Sequence, residues 1–298
     1  MTLDSFTLPS FAKINLHLRL LGRREDGYHD IFTVFQTVSL HDSLSFEHHD
    51  KGFELTCNEP NVPVDDSNLI IRAAKALASK FGVSGGASIF LEKKIPMGGG
   101  LGGGSSNAAT TLLGLAKLWE ISVDANDLHE IATDIGSDVS FFMYGGTALG
   151  TGRGNVIEPM GEFGAPWVLI VMPDISVSTA KAYAALNFQN LTNEDANRIL
   201  RVCRTEAESR DFLHSALKND FEPTVFAAHP EVGRVKQTLI DLGANQALMS
   251  GSGASVFGIF DKQETRQAAL KALDTEVNWR KFAVATVSRD KYREKVGF

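Results

Sequence analysis

A tract of six glycines among eleven residues, from Pro96 to Ser106, constrains this chain more than any other stretch of its 298 residues. The apolar segment ASIFLEKKIP before the tract predicts a β-strand that stops at Pro96, and apolar residues at helical spacing from Ala109 to Trp119 predict an α-helix after it. Glycines between a strand and a helix let backbone N–H groups surround a phosphate, and the helix start adds partial positive charge. The tract therefore predicts a phosphate-binding loop.

Other nucleotide-loop patterns fit this tract less well. Gly98, Gly100 and Gly103 satisfy GxGxxG, but a tract so rich in glycine matches many spacings, and the expected acidic residue, Glu120, ends a helix rather than a strand. No Lys follows the loop as in a Walker A sequence, and the protein-kinase signatures are missing. A nicotinamide-dependent oxidoreductase is thus a distant alternative. An idle glycine turn is disfavoured by the flanking strand and helix.

The first predicted strand carries further candidate groups. The segment FAKINLHLRL alternates apolar and polar residues, and its period of two places Lys13 and Asn15 on the same face. The segment GRREDGYH interrupts this pattern, and an apolar stretch over 31–40 predicts a second strand. The intervening loop carries Tyr28 and His29.

Asp138 is the candidate base. A predicted helix begins near Asp127 and ends at Gly136, and the segment SDVSFF after it is expected to open an apolar strand. Phosphoryl transfer to an alcohol needs a proton acceptor and nearby positive charge, which Asp138 and Lys13 can supply. A lone Lys on a strand is usually solvated and a lone Asp after a helix usually caps it, so the sequence alone does not show that they meet. Their coexistence disfavours a non-catalytic binding module.

The remaining periodicity predicts an α+β protein of two domains, 1–160 and 161–298. In the first domain a helix runs from Leu69 to Phe81, with Asp66-Ser67 as its cap. In the second, a strand near residue 167 precedes helices over 179–188, 193–204, 230–242 and 262–273, the strand-like ALMSGSGASVFGIF and a final strand KFAVATVS. The small residues 250–253 are read either as a bulge or turn, or as a second approach of backbone to phosphates.

Charge and cysteine content restrict the ligands and the compartment. Lys and Arg number 29 against 36 Asp and Glu, and the net charge of −7 provides no basic field for nucleic acid or an anionic membrane. Cys57 and Cys203 are too few for a disulfide framework and lack the paired spacing of a zinc site. No apolar run approaches the ~20 residues of a membrane span, and the start MTLDSFTLPS has no signal-peptide pattern. A cytoplasmic protein is expected.

These motifs together resemble the GHMP kinase superfamily, named for galactokinase, homoserine kinase, mevalonate kinase and phosphomevalonate kinase. The resemblance covers nearly the whole chain and rests on FAKINLHL, GRREDGYHDIFTVFQTVSLHD, IPMGGGLGGGSSNAA and LMSGSGASVF. It implies a two-domain α+β fold with the active site in the cleft between the domains, and ATP as phosphate donor. The long form GGGLGGGSSNAA, unlike the GLGSSA of mevalonate and homoserine kinases, implies a diphosphocytidyl methylerythritol as acceptor.

The resemblance also implies the residues of the site. Lys13 and Asp138 would be the catalytic pair, with Asp138 taking the proton of the acceptor's tertiary hydroxyl. Magnesium is implied by the ATP chemistry, with Ser105 or Ser106 as its candidate protein ligand. The implied ATP-binding residues are Pro96, Met97, Gly98, Gly99, Gly100, Leu101, Gly102, Gly103, Gly104, Ser105 and Ser106 around the phosphates, and Asn68, Leu69, Ile70 and Lys93 near the adenosine. The implied substrate-binding residues are Asn15, Tyr28, His29, Thr179 and Tyr183.

The resemblance leaves three points open. The family pattern has proline after Asp138-Val139, whereas this chain has Ser140, which removes a rigid residue beside the candidate base. Another GHMP kinase of the homoserine or mevalonate type is the nearest alternative function. The sequence does not indicate an oligomeric state.

Overall fold

The structure, a computed structural model, describes residues 5–186, 193–209, 212 and 217–297. Helices pack against two β-sheets in an α+β arrangement. The strands are β1 (Ser5–Arg23), β2 (His29–His49), β3 (Phe53–Cys57), β4 (Gly86–Glu92), β5 (Thr147–Thr151), β6 (Val156–Pro159), β7 (Val168–Pro173), β8 (Lys218–Asn219), β9 (Gln246–Met249), β10 (Val256–Ile259) and β11 (Trp279–Val284). The helices are α1 (Leu69–Phe81), α2 (Gly103–Leu118), α3 (Ala125–Ile135), α4 (Ser137–Phe142), α5 (Thr179–Ala184), α6 (Asn193–Ala207), α7 (Glu222–Ala228), α8 (Pro230–Asp241), α9 (Gln263–Ala272) and α10 (Arg289–Val296).

The larger sheet has seven strands, in the order β3-β4-β2-β1-β8, with β5 paired to β2 and β6 paired to β5. Its long central strands β1 and β2 are antiparallel, and their register shifts three times, once between Asn15 and His17. Such bulges bend a strand pair. As a result β1 contributes in turn to three hydrophobic clusters: Phe11 to the first, Ile14 and Leu16 to the second, and Leu18 to the third.

The smaller sheet consists of four antiparallel strands in the order β11-β7-β10-β9. Residues of β1 and β2 such as Ile14 and Val34 share a buried cluster with Ile170 and Phe257 of this sheet. The two sheets are therefore joined through a common core beneath the strand that carries Lys13.

The division of the chain at residue 160 stays a prediction. The strands of the larger sheet end at Pro159 and those of the smaller sheet begin at Val168, but β8 returns to the larger sheet. The C-terminal helix α10 also returns, since Tyr292 is buried in the first cluster and its hydroxyl donates a hydrogen bond to the Phe142 carbonyl.

Several elements differ from the sequence-based expectations. The segment SDVSFF forms the helix α4 and not the predicted strand. Phe141 and Phe142 are both buried, and a short apolar run that is buried throughout is compatible with a strand or a helix, so the sequence pattern could not distinguish them. Helix α1 is capped by Asn68, whose side-chain oxygen accepts from the Ile70 amide, and not by Asp66-Ser67. The segment ALMSGSGASVFGIF is a hairpin of two strands.

Other predicted elements are confirmed with adjusted ends. The glycine tract follows β4 and leads into α2, as expected. The helix predicted over 179–188 is α5, and residues 187 and 188 lie outside the described residues. Strands β3, β5, β6 and β8 and helices α7 and α10 were not predicted. Among the described residues, no helix is long and apolar enough to cross a membrane.

The sheet topology excludes the dinucleotide-binding interpretation of the glycine tract. Strand β4 is antiparallel to β2 and parallel only to the short β3. The GxGxxG fingerprint works in a βαβ unit of a parallel sheet, where the helix start points at the cofactor beyond the strand ends. The tract is therefore not a Rossmann loop.

Candidate active site

A cleft of about 970 Å³ opens between the two halves of the molecule. It collects ten of the predicted site residues from five separate segments of the chain. The lining residues that the sequence predicted are Lys13, Asn15, Tyr28, His29, Gly100, Gly102, Ser105, Asp138, Thr179 and Tyr183. The two predicted catalytic residues, the glycine tract and all five predicted substrate residues thus share one cavity.

The glycine tract forms the wall of this cleft beside the start of α2. Gly98, Gly100 and Gly102 have φ angles of 67°, 73° and 69°, which only glycine adopts without strain. Helix α2 begins at Gly103, and the first amides of a helix have no carbonyl acceptor within the helix. The turn conformation therefore presents free amides and the positive helix end to the cleft, as an anion-binding loop requires.

The second glycine tract packs on the first. The Ser250 hydroxyl donates to the Gly100 carbonyl at 2.9 Å, and the Ser255 amide donates to the Gly99 carbonyl at 3.2 Å. A Cβ on Gly100 would clash with the Ser250 carbonyl oxygen. The small residues of the β9–β10 turn thus allow close approach to the first glycine tract, and Gly251 also lines the cleft.

Lys13 and Asp138 meet inside the cleft. The Lys13 ammonium lies 3.3 Å from Asp138 Oδ2 and donates a hydrogen bond to Asn15 Oδ1 at 2.7 Å. Lys13 is 3% exposed, whereas the Asp138 side chain is 34% exposed. The backbone amide of Lys13 donates to the Leu101 carbonyl at 3.0 Å, which joins β1 to the glycine tract. A buried cation therefore sits between the glycine tract and a partly exposed carboxylate.

Ser140, which stands where the family pattern has proline, is held by a side-chain contact. Its side chain is fully buried in α4, and its hydroxyl lies 3.1 Å from the Thr133 hydroxyl of α3. This hydrogen bond connects the two helices across the Gly136 junction that precedes Asp138.

A chain of hydrogen bonds sets the orientation of the Asn15 amide. The Thr33 hydroxyl donates to the His17 carbonyl at 2.8 Å, and Asn15 Nδ2 donates to the Thr33 oxygen at 2.7 Å. A carbonyl only accepts, so the Thr33 proton is committed and its oxygen must accept from Asn15. Asn15 therefore turns its oxygen towards Lys13 and holds the ammonium in place.

We expect Thr33→Val to lower kcat by about 10-fold, because loss of the hydroxyl leaves buried polar groups unsatisfied and frees the Asn15 amide to turn. Thr37→Val is the matched control, since the Thr37 hydroxyl is also buried but has no hydrogen-bond partner among the described residues. Steady-state kinetics and thermal unfolding of both variants make the comparison. Thr33→Ser should restore kcat. Equal kcat in Thr33→Val and Thr37→Val would contradict the orienting role.

The four residues predicted near the adenosine differ in their burial and in their contacts. Ile70 is fully buried in the core, and the Asn68 side chain caps α1 and donates to the Pro63 carbonyl. Leu69 lies beside the loop, with Cδ1 3.8 Å from the position of a Cβ on Gly104, and Lys93 Nζ lies 3.0 Å from the position of a Cβ on Gly103. Lys93 points inwards and pairs with Asp42 at 2.6 Å.

Asp42 is a structural residue of the site that the sequence did not reveal. Its buried carboxylate accepts hydrogen bonds from Lys93 Nζ, from the amides of Lys94 and Ile95, and from Asn107 Nδ2 of α2. Burial lowers the pKa of Lys93, and the attraction of Asp42 opposes that shift. This network holds the segment before the glycine tract against the helix after it.

The predicted substrate residues form an aromatic end of the cleft. The rings of His29 and Tyr183 stack with centroids 5.1 Å apart, and the Tyr183 ring meets Phe221 edge-on at 4.8 Å. Burial, with a smaller contribution from Asp138, raises the pKa of Tyr183 to about 12, so that its hydroxyl keeps its proton. Burial and the nearby Arg23 lower the pKa of His29 below its usual range. A neutral imidazole and a phenol therefore face the cavity.

Arg153 joins this end of the cleft, and the sequence did not single it out. Its guanidinium carbon lies 4.7 Å from the centre of the Tyr28 ring. Tyr28 is 57% exposed. Thr179 also lines the cleft and shares a 2.8 Å hydrogen bond with the Ser252 hydroxyl. Arg153 is a single basic residue in the segment GTGRG, and no sequence pattern indicates its contact with Tyr28.

The two candidate magnesium ligands differ in position. Ser105 lines the cleft at the start of α2. Ser106 is fully buried, and its hydroxyl accepts a hydrogen bond from Ser10 at 2.8 Å. Ser105 is thus the hydroxyl that can reach a ligand in the cleft.

Comparison with known proteins gives matches over most of the chain. The family model for the GHMP kinases N terminal domain matches residues 68–146, and the model for the GHMP kinases C terminal matches residues 192–278. A 4-diphosphocytidyl-2-C-methyl-D-erythritol kinase of Thermodesulfovibrio yellowstonii is 40% identical over 268 residues, 89% of this chain and 93% of that protein. The kinase of the same name from Bacillus cereus is 43% identical over 249 residues, 83% of this chain and 86% of that protein.

Solved structures show the same relationship. A crystal structure of 4-(cytidine 5'-diphospho)-2C-methyl-D-erythritol kinase matches with a TM-score of 0.77 and 33% identity, covering 94% of this chain and 99% of that chain. Homoserine kinase from Cytophaga hutchinsonii matches with a TM-score of 0.74 over 97% of this chain and 96% of that chain, at 20% identity. The second match shows a shared fold alone.

Proposed function

This chain belongs to the 4-diphosphocytidyl-2-C-methyl-D-erythritol kinases of the GHMP kinase family, and we propose that it phosphorylates that alcohol through Asp138 and Lys13. The chain is a kinase, and GHMP kinases use ATP as the phosphate donor. The acceptor atom in this proposal is the tertiary hydroxyl on C2 of the methylerythritol. The reaction would serve the non-mevalonate route to isoprenoid precursors.

One observation carries this proposal: the 3.3 Å approach of Lys13 Nζ to Asp138 Oδ2 within the cleft bordered by the glycine tract. The partly exposed carboxylate can accept the proton of a substrate hydroxyl as that oxygen attacks the terminal phosphorus. The buried ammonium, fixed by Asn15, steadies negative charge on the transferring group. Both roles need positioning more than strong basicity, as is usual in phosphoryl transfer.

The phosphates of ATP are assigned to the free amides at the start of α2 and to the backbone of Gly100 and Gly102. Magnesium favours oxygen ligands, and the Ser105 hydroxyl faces this part of the cleft, so the residues present fit the ion. We assign Ser105 as the protein ligand and exclude Ser106, which is buried against Ser10. When bound, the ion supplies positive charge to the phosphate oxygens.

The aromatic end of the cleft is assigned to the cytidine base. A neutral His29 has one nitrogen that donates and one that accepts, which suits a base edge carrying an amino donor beside an acceptor. Tyr28 and Tyr183 supply ring faces for stacking, and Arg153 backs the Tyr28 ring. When the base binds, it would either insert between the stacked rings of His29 and Tyr183 or stack on the outer face of one of them.

We expect Tyr183→Ala to raise the substrate KM by roughly 5- to 150-fold, since stacking on a base is worth ~1 to 3 kcal/mol.

His29→Ala should weaken cytidine recognition by roughly 1 to 3 kcal/mol while leaving the ATP KM nearly unchanged. His48→Ala, which removes an exposed histidine of β2, is the control. Kinetics with cytidine and uridine forms of the substrate provide the measurement. A His29→Ala enzyme that still prefers cytidine would place base recognition elsewhere.

A coupled assay of ADP release over several acceptors tests the function itself. Diphosphocytidyl methylerythritol should support turnover, whereas homoserine and mevalonate should not, because neither alcohol carries a base for the aromatic end. Phosphorus NMR of the product should show a new phosphate ester on the C2 oxygen. Faster turnover of homoserine or mevalonate would replace this proposal with another GHMP activity.

A further inference from the structure

Three metal-binding side chains meet outside the cleft, between β1 and α6. They are His17 of β1 and Cys203 and Glu206 of α6, and their ligand atoms all lie within 4.8 Å of one another. Residues three apart on a helix share a face, so Cys203 and Glu206 point the same way, and Cys203 belongs to the buried cluster that contains Leu16 of β1. Within the described part of the chain, no other group of three such side chains comes together.

Two residues of this cluster are buried and the third, Glu206, is partly exposed, so its charge balance is important. His17 is fully buried and Cys203 is 1% exposed. The Glu206 Oε2 atom is also buried and has no hydrogen-bond partner among the described residues. Leaving a carboxylate oxygen dry and unpaired is costly, whereas a divalent cation at the centre of the cluster would satisfy it.

Charged side chains of both signs lie near the cluster. Arg19 and Lys218 lie close enough to influence the Cys203 thiol, together with Glu206 and Asp220. Arg19 is already paired with Asp220 at 2.8 Å. Burial raises the pKa of the Cys203 thiol, with Glu206 and Asp220 adding to the shift and Arg19 and Lys218 opposing it.

The donor atoms select the class of metal. Imidazole, thiolate and carboxylate together suit zinc and neighbouring transition metals, whereas magnesium and calcium prefer oxygen ligands alone. Bond lengths of about 2.0 to 2.3 Å around a tetrahedral zinc place the ligand atoms roughly 3.3 to 3.8 Å apart. Closing the cluster from its 4.8 Å limit needs a shift of only about 1 Å at the side-chain ends.

We propose that His17, Cys203 and Glu206 form a binding site for a zinc-class divalent cation that fastens α6 to β1. Water takes the fourth position, as in three-ligand zinc sites. The Cys203 proton passes to solvent as the sulfur–metal bond forms. His17 lies on the strand of the proposed catalytic lysine, and its carbonyl accepts from Thr33, which orients Asn15 and through it Lys13. The site thereby connects α6 to the catalytic strand.

Cobalt(II) titration of the chelator-treated full chain, without nucleotide, tests this site. We expect one equivalent of Co²⁺ to produce a thiolate-to-cobalt charge-transfer band with the visible bands of a tetrahedral site, and Zn²⁺ to displace it. Cys203→Ser should abolish the charge-transfer band. Cys57→Ser, which changes a partly exposed thiol elsewhere, should leave it unchanged.

Glu206→Gln keeps the shape of the side chain and should weaken Co²⁺ binding by about 10- to 100-fold or more, since loss of a supporting partner alone has that cost. This variant decides the matter if Cys203→Ser does not fold, which circular dichroism of the metal-free variants would reveal. Absence of the band in the wild type, its loss only in Cys57→Ser, or unchanged affinity in Glu206→Gln would each overturn the site.

Discussion

Replacing Asp138 by asparagine is expected to lower kcat by about 100-fold or more, with little change in ATP binding. An amide of nearly the same shape cannot take the proton from the acceptor hydroxyl, and loss of an acid–base group usually costs this much. Lys13→Met should produce a similar loss, because it removes the positive charge 3.3 Å from Asp138. Single-turnover phosphoryl transfer, with ATP affinity from calorimetry, separates chemistry from binding.

The control for this prediction is Asp134→Asn, which makes the same chemical change at an exposed carboxylate one turn before α4. It should leave kcat unchanged within error. Because Lys13 is buried, the thermal unfolding of Lys13→Met must be compared with that of the wild type before its kcat is interpreted. Turnover near the wild-type value in a folded Asp138→Asn enzyme would remove the proposed mechanism.

Gly100→Ala is expected to lower kcat/KM for ATP by about 100-fold or more. Gly100 has a φ angle of 73°, and a Cβ there would clash with the Ser250 carbonyl oxygen of the β9–β10 turn. The phosphate loop must move to relieve this clash, and a displacement of about 1 Å in a catalytic site costs about this much. ATP affinity by calorimetry and kcat/KM by the ADP-release assay measure the effect.

Gly85→Ala is the matched variant, because a Cβ at Gly85 has no neighbour within 4 Å and its φ is not positive. It should preserve both ATP affinity and turnover. Thermal unfolding of Gly100→Ala shows whether the clash is absorbed by the loop or spread into the β9–β10 turn. Unchanged ATP affinity in Gly100→Ala would remove the phosphate-loop assignment.

Local patterns predicted the parts of the site that depend on local chain conformation. The period of two in FAKINLHLRL correctly placed Lys13 and Asn15 on one face, and glycine between a strand and a helix correctly marked the wall of the cleft. Each of these signals comes from the conformational preference of a short segment. Neither needs knowledge of what the segment packs against.

Local patterns failed where packing decides the outcome. SDVSFF is apolar enough for a strand or a buried helix, and burial of Phe141 and Phe142 against the first cluster selects the helix. The family resemblance implied Ser106 and Lys93 as ATP-binding residues. In the fold Ser106 meets Ser10, and Lys93 neutralises the buried Asp42.

The sequence by itself determined the glycine turn between β4 and α2, the strand of Lys13 and the family of the chain, because these depend on residue types within contiguous motifs. Tertiary structure decided which side chains meet. Asp138 reaches Lys13 across 125 positions of the chain, and Cys203 reaches His17 although the spacing of the cysteines carries no metal-site pattern. Burial and charge pairing act between segments that are distant in sequence, so only the folded chain brings these groups together.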